Sequence, residues 1–446
     1  MIGHVAIVGA GFSGTLLAIN LLRHDGPRAT LIERGDAAGQ GVAYGMAQPD
    51  HLLNVRAANM SAFPDRPDHF VRWLAEQGGA QGGGDFVPRA TYGAYLRELL
   101  AGAQAAAPDR LTIVAGEAVD CDGGKVTLCD GRTIAADAVV LAVGNLAPQV
   151  PPGLDAVTGS PAYVGNPWDA RGTAGLCDDD RVLLIGTGLT MIDVVLTLEA
   201  RGFGGKIVAL SRRGLLPHRH APATPGEPPL AERPTPPLSA LVQAVRARGQ
   251  AIGWRSAIDE LRPFTQGIWA AADHGERRRF LRHLRPWWDI HRHRLAPAVA
   301  DRIAALIDGG RLTVLAGKTC DAMPVGDSVD VRWRPRGDDT VQTLHVTRII
   351  ACTGPQGDLT RTDDPLLARL HDAGRIRPDP EHLGIEVEST GRVLRADGTA
   401  DEQLFAIGPM TRGAFWEIVA VPDLRRQVWD VARYLSNAHW VGGEGL

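Results

Sequence analysis

A chain of 446 residues is too long for a single hydrophobic core, so two or three domains are predicted. Its 44% apolar and 22% charged residues match an ordinary globular protein and exclude a disordered or fibrous one. With 47 basic against 51 acidic residues and a formal net charge of -4, the chain has no overall basic field to draw nucleic acid or acidic lipid, and neither is expected as a partner.

The first elements read as a buried parallel strand over Val5–Val8, a helix over Ser13–His24 and a second strand over Ala29–Glu33. The stretch Val5–Leu22 is apolar enough to imitate a signal peptide, but it lacks a basic segment ahead of it, and its glycines fall where a strand-to-helix turn needs them. No other stretch is long and apolar enough to cross a bilayer. Gly9-Ala-Gly11-Phe12-Ser13-Gly14 joins strand to helix: Gly9 permits the turn, Gly11 lets backbone N–H groups approach a pyrophosphate, and Gly14 lets the helix sit close to the strand. Glu33 ends the second strand 22 residues beyond Gly11, where a carboxylate accepts hydrogen bonds from a ribose diol. Strand, spacing, helix and terminal acid together predict a Rossmann βαβ unit holding NAD or FAD.

From Gly35 to Pro67 the chain is rich in Gly, Asn and Pro without periodicity, and reads as a loop lining a ligand. Helices are predicted over His69–Glu76 and Tyr92–Ala105. Then comes an internal echo: Arg110-Leu-Thr-Ile-Val-Ala-Gly116 is nearly repeated by Arg311-Leu-Thr-Val-Leu-Ala-Gly317. After each run come alternating stretches and an apolar strand ending in glycine, at Gly144 and Gly354. The same four features in the same order predict two domains of one α/β architecture.

The second fingerprint is Gly186-Thr-Gly188-Leu189-Thr190-Met191, with Met191 in place of the third small residue, which predicts a wider helix-to-strand spacing. The next strand ends in Ser211-Arg212-Arg213; Ser211 lies 25 residues after Gly186, as Glu33 lies 24 after Gly9. A carboxylate there would repel a 2′-phosphate, whereas paired arginines grip one, so NADPH is predicted over NADH; a solvated Arg pair is the plainer alternative.

A Pro-rich passage, Ala221–Pro237, opens a helical insertion with Trp254, Trp269, Trp287, Trp288 and a basic run over Arg277–Arg294. This insertion is the candidate substrate cap; its cluster Arg282–Arg294 fits an anionic, amino-acid-like substrate, or a core helix with solvated arginines. His291 and His293 have no ligand partner at a recognisable spacing, so no metal site is predicted. The chain closes with a strand over Leu404–Ile407 and a helix from about Phe415 to Tyr434. The expected domains are 1–165 with 355–446, 166–213 with 301–354, and the insertion 214–300.

The five cysteines, Cys121, Cys129, Cys177, Cys320 and Cys352, include no CxxC pair, which argues against a zinc site and a redox-active disulfide. A reducing, cytoplasmic setting is expected.

Gly9–Gly14, Gly39–Gly45, His51–Ser61, Pro88–Gly93 and Gly413–Pro422 together resemble a two-dinucleotide flavoprotein, specifically the bacterial FAD/NAD(P)-binding family related to flavin-dependent N-hydroxylating monooxygenases. The resemblance covers almost the whole chain. It implies FAD in the first site, held by Gly9, Gly11, Phe12, Ser13, Gly14, Glu33 and Arg34, with the loop through Gly41, Tyr44, Asn54, Val55, Met60 and Ser61 wrapped along it and Gly144 nearby. Leu404–Gly408 is similar to the second flavin motif, but Pro409 stands where an aspartate usually meets the ribityl chain, leaving that contact unassigned. The helix bearing Trp416, Glu417 and Ile418 would aim its N-terminal N–H groups at the flavin's pyrimidine edge, or serve as a core helix. NADPH would occupy Gly186, Gly188, Leu189, Thr190, Ser211, Arg212, Arg213 and Gly354.

With both sites filled, the expected half-reaction is hydride transfer from nicotinamide to flavin, for which the protein supplies orientation. The resemblance implies dioxygen as the next acceptor and a small nucleophilic, amine-type substrate. No catalytic residue and no oligomeric state is assigned. Two other classes fit the same motifs: an oxidase or dehydrogenase without oxygen insertion, and a regulatory protein that binds FAD and senses NADP.

Overall fold

The structure is a computed structural model that describes residues 2–35, 37–221, 233–234 and 237–436. Most of the Pro-rich passage lies outside the described residues. The chain opens with β1 (His4–Val8), α1 (Phe12–Arg23) and β2 (Arg28–Glu33), followed by the short α2 (Gly41–Gly45), α3 (His69–Glu76) and α4 (Arg89–Ala106). Next come β3 (Leu111–Ala115), a small layer β4 (Ala118–Asp122), β5 (Lys125–Leu128) and β6 (Thr133–Ala135), and the returning β7 (Ala138–Leu141).

The second nucleotide-type unit starts with β8 (Tyr163–Val164), β9 (Arg181–Ile185), α5 (Leu189–Ala200) and β10 (Lys206–Ser211). The insertion carries α6 (Leu238–Ile252), α7 (Trp254–Leu261), α8 (Thr265–Ala271), α9 (His274–Arg279) and α10 (Arg285–Arg292), with a π-helical turn over Phe280–Leu284. Then α11 (Pro297–Asp308), β11 (Leu312–Val325), β12 (Ser328–Pro335), β13 (Gln342–Val346) and β14 (Arg348–Ala351) complete the unit. The chain returns through α12 (Pro365–Asp372), β15 (Arg392–Leu394), β16 (Ala400–Ala406) and α13 (Val421–Leu435).

One sheet has the order β15-β16-β7-β1-β2-β3 and the other β13-β12-β11-β10-β9-β14-β8. Their parallel cores correspond: β1 lies between β2 and β7 as β9 lies between β10 and β14. The fold is therefore α/β with two Rossmann-like units of one architecture. β7 is buried along its whole length, and β1 and β9 beyond their first residues, which is why these strands read as unbroken apolar runs. Ten of the twelve residues of α1 are buried, because the helix is packed between its sheet, α4 and α13. The other faces of the sheets carry β-layers, separate in the first unit; in the second, β11 runs on past Gly317 into the β12–β13 meander.

Two expected boundaries shift. β8 pairs with β14 in the second sheet, and Leu154, Val157, Ala162 and Tyr163 pack in its core, so the second unit begins well before residue 166. The crossover lies nearer Leu146 and Gln356, which bridge each other. At the other side, Val299, Ile303 and Leu306 of α11 pack under the second sheet, so the insertion ends by about Leu295, before residue 300. The final helix starts at Val421, not Phe415: Pro422 occupies its first turn, and Glu417 at φ +70° holds the preceding segment in turns. Among the described residues no helix is long and apolar enough to cross a membrane.

Candidate functional site

The three glycines of the first fingerprint do different work. Gly9 has φ +103°, and a Cβ on it would stand 2.4 Å from the Ala142 carbonyl oxygen just beyond β7. A Cβ on Gly14 would stand 1.9 Å from the Gly9 carbonyl oxygen, so the first turn of α1 rests directly on the turn that precedes it. Gly11 meets no such obstacle; within 4 Å its Cβ would find only Gly41 Cα, at 3.6 Å. Its bareness keeps the end of α1 open, and no side chain caps that end, so first-turn N–H groups are left for an anion.

Glu33 accepts the Ala10 N–H at 2.8 Å on one oxygen and the Gly35 N–H at 2.8 Å on the other. Its carboxylate is thereby fixed at the fingerprint with lone pairs to spare for a diol. Gly408, at φ +85°, closes the site from the other end of the chain: a Cβ there would stand 3.0 Å from Ser13 Oγ. Its N–H donates to Gln427 Oε1 at 2.8 Å, and its carbonyl accepts Thr411 Oγ1 at 2.8 Å. Pro409 opens the short turn Pro409–Thr411. Gly144 and Gly354 both have positive φ, +73° and +80°, with nothing within 4 Å of a Cβ. These features fit a dinucleotide with its pyrophosphate at α1 and its ribose at Glu33.

Several expected contacts turn elsewhere. Arg34 is exposed and pairs with Asp364 at 3.4 Å and Glu117 at 3.8 Å, away from the fingerprint. Met60 and Ser61 are buried in the first core, and Ser61 Oγ donates to the Arg66 carbonyl at 2.6 Å, so both support the loop from beneath. Val55 packs on the same core. Tyr44 rests on Tyr92 with ring centroids 4.9 Å apart, and Tyr92 lies 6.4 Å from Phe12. Sequence reading did not single out Tyr92, whose buried hydroxyl has no hydrogen-bond partner among the described residues. Burial pushes its phenol well above the usual range, so it stays neutral. The Pro88–Gly93 stretch gains a reason here, since a Cβ on Gly93 would stand 2.6 Å from Gln40 Nε2 and 3.2 Å from the Tyr44 carbonyl.

The loop from Gly39 to Ser61 divides in function. Its first part lies on Gly11; its second part clasps the other unit. His51 Nε2 lies 3.0 Å from both the Asp193 carbonyl and Thr197 Oγ1 of α5. Arg89 pairs with Asp193 at 2.6 Å in a largely buried contact, and Arg302 joins Asp50 and Glu199. The Asn54 carbonyl meets His220 Nε2 at 3.0 Å, where the chain enters the insertion.

At the second fingerprint, Gly186 has φ +120°, and a Cβ would stand 2.2 Å from the Cys352 carbonyl, the counterpart of Gly9 against Ala142. Gly188 is open, and α5 likewise lacks a side-chain cap, so the N–H groups around Leu189 and Thr190 face no cap of the chain's own. Met191 is fully buried in the core, where its thioether fills the space a small residue would leave. Ser211 Oγ lies 2.9 Å from Thr187 Oγ1 and accepts the Gly214 N–H at 3.0 Å. Arg212 is exposed and makes no ion pair among the described residues; Arg213 lies over Trp287 at 5.9 Å. Two cations at the strand end without carboxylate partners fit a phosphate-bearing ribose.

The segment after Gly408 docks on the insertion. Trp416 stacks on Trp269 at 4.6 Å, and the Trp269 indole donates to the Gly413 carbonyl at 2.8 Å. Glu417 accepts the Trp288 indole N–H at 2.8 Å and lies 3.3 Å from Arg292 and 3.6 Å from His293. Burial opposes its ionisation, but His293, Arg292 and Trp288 outweigh burial and hold the carboxyl at about 2. Ile418 is buried beside it in the first core. No helix starts at Phe415, so the expected helix dipole toward the flavin is absent at that place. The cationic cluster of the insertion is similarly engaged: Arg292 with Glu417, Arg294 with Asp259 at 2.9 Å, and Arg285 with Asp289 at 3.5 Å.

Residues 6–146 match the model of an FAD-NAD(P)-binding family. A segment of 126 residues is 29% identical to the nitrosuccinic acid synthase of Aspergillus oryzae, covering 27% of this chain and only 19% of that protein. Whole-chain similarity lies in structure. The ornithine hydroxylase of Pseudomonas aeruginosa in its reduced form superposes with a TM-score of 0.65 at 14% identity, over 98% of this chain and 99% of that one. The FAD-bound cadaverine monooxygenase of Erwinia amylovora gives 0.66 at 11% identity, over 97% and 94%. Residues 6–146 are therefore similar to an FAD-NAD(P)-binding domain, and along nearly its whole length the chain shares the fold of these two enzymes.

Proposed function

We propose that this chain is an NADPH-dependent FAD monooxygenase that oxygenates the amine nitrogen of a small molecule, working in the cytoplasm. The observation that carries the reading is one chain with two uncapped helix N-termini behind matched glycine turns, a carboxylate at one strand end and, at the other, two arginines without a carboxylate partner among the described residues. The carboxylate suits the ribose diol of FAD or NAD and the arginines a 2′-phosphate; likeness to the FAD-bound cadaverine monooxygenase favours FAD in the first site, which leaves NADPH to the second. When bound, FAD supplies the redox chemistry, taking two electrons from NADPH and passing them to dioxygen. The balance is amine, dioxygen, NADPH and a proton giving hydroxylamine, water and NADP. For this chain's residues the task is holding and orienting: Glu33 and α1 fix one nucleotide, Arg212, Arg213 and α5 the other, and the His51 and Arg89 clasp sets the distance between them. All five cysteines are free, consistent with a reducing compartment.

The test is anaerobic mixing of the FAD-loaded protein with NADPH, followed by admission of air and analysis of an added amine. The flavin should bleach, recover its colour in air, and leave hydroxylamine in proportion to NADPH consumed. A flavin that neither NADPH nor NADH reduces overturns the proposal. Stoichiometric hydrogen peroxide with every amine assigns the chain to the oxidases instead.

A further inference from the structure

The insertion and Trp416 line a partly open cavity of about 760 Å³, within the range of small-molecule sites. Six aromatic rings line it: Trp254, Trp269, Phe280, Trp287, Trp288 and Trp416. The indole N–H groups of Trp269 and Trp288 are bonded to Gly413 and Glu417, outside the lining set. Such hydrogen bonding leaves the carbon faces of these rings to line the space. One side of the cavity is Leu241, Val242 and Val245 of α6, a helix with no buried residue of its own. Among the described residues no Asp or Glu lines it; its ionisable lining groups there are Arg246, His283 and His291.

Two walls tie the cavity to the nucleotide sites. Trp416 belongs to the segment that leaves Gly408, which itself touches the first turn of α1. Trp287 lies against Arg213 of the second site. The cavity wall thus includes one residue in contact with the second site and one on the segment that follows the first.

Resting on the function proposed above, we propose that the cavity receives the apolar body of the amine substrate, an alkyl or aryl chain of several carbons. Short doubly charged amines fit this lining poorly, because a second ammonium group would enter a space whose described lining offers no carboxylate and includes the guanidinium of Arg246. Ornithine and cadaverine, the compounds in the names of the structural neighbours, are of that short charged kind.

Titration of the FAD-loaded protein with the n-alkylamines from butyl to octyl, without NADPH, reads binding through quenching of the lining indoles. Affinity should rise about three- to fourfold per added methylene, as expected for burial of each CH₂. The variant Leu241→Glu places a carboxylate on the half-exposed α6 face, and its thermal transition reports whether it folds. In the folded variant the chain-length dependence should be lost. Affinity independent of chain length, or a dependence unchanged in Leu241→Glu and in a second variant, Val245→Glu, overturns the inference. So does a concentration-dependent dimer that Leu241→Glu converts to monomer, since the face would then belong to a second copy. Because no reductant is present, chain-length-dependent binding without later turnover defeats only the oxygenase reading, and turnover of short amines without it defeats only this inference.

Discussion

Replacing Glu417 with glutamine tests how the insertion is fastened to the first unit. Glu417 is 5% exposed and is ionised in the fold because Arg292, His293 and the Trp288 indole outweigh the cost of its burial. The gap between the ordinary carboxyl value of 4.5 and about 2 corresponds to about 3 kcal/mol. Glutamine keeps the shape and accepts the Trp288 N–H, but leaves Arg292 without its counter-charge. A loss of about 3 kcal/mol at pH 7 is expected, at the low end for breaking a buried ion pair. Since the folded value lies below the unfolded one, this stability is complete above pH 4.5 and disappears as pH falls toward 2. The deficit of Glu417→Gln should thus be constant from pH 7 to about 5 and close below that. Urea titrations at stepped pH, followed by indole emission, measure it. A deficit below about 1 kcal/mol at pH 7, or one that widens on acidification, would refute the reasoning.

Gly14→Ala sets a methyl group 1.9 Å from the Gly9 carbonyl, so α1 must move; the protein should lose FAD on gel filtration, and normal yellow retention would count against the site. Arg212→Ala with Arg213→Ala should raise the KM for NADPH on the order of ten- to a hundredfold, as for lost charge-assisted hydrogen bonds, and leave NADH nearly unchanged. Equal effects on both would show that the arginines do not read the phosphate. Asp193→Asn strands the buried Arg89 and should cost about 3–5 kcal/mol, whereas Arg89→Met with Asp193→Leu should recover most of it; a double variant as unstable as the single one would contradict an electrostatic origin.

What the sequence reveals depends on how local each feature is. The roles of Gly9, Gly14 and Gly186 follow from a turn of a few residues, and the structure places each against the backbone atom that forbids a side chain. The echo at Arg110 and Arg311 marks β3 and β11 for the same reason, being one strand's worth of pattern. The edge strand Tyr163–Val164 has two residues, too few for any periodicity, so no sequence pattern marks the start of the second unit. Pro422 does mark the start of α13, a signal outweighed by Phe415, Trp416 and Ile418, which are half-buried or buried without being helical. The basic cluster Arg282–Arg294 looks free in sequence because its partners Glu417 and Asp259 lie on other elements. No local pattern announces the cavity, since α6, α7, α8, α10 and the Trp416 segment each contribute part of its wall.

The turn, the uncapped helix end and the strand end of each fingerprint lie within one unit. Electron transfer needs more, namely a fixed relation between the two seats and the substrate. That relation rests on residues outside both fingerprints: Arg89 and His51, which bind α5, and Glu417, which binds Arg292 and Trp288. Substitutions in the fingerprints should therefore abolish binding of one cofactor at a time. Substitutions in the clasp should leave both cofactors bound and slow the passage of electrons between them, so the two kinds of residue separate in a titration of cofactor affinity against reduction rate.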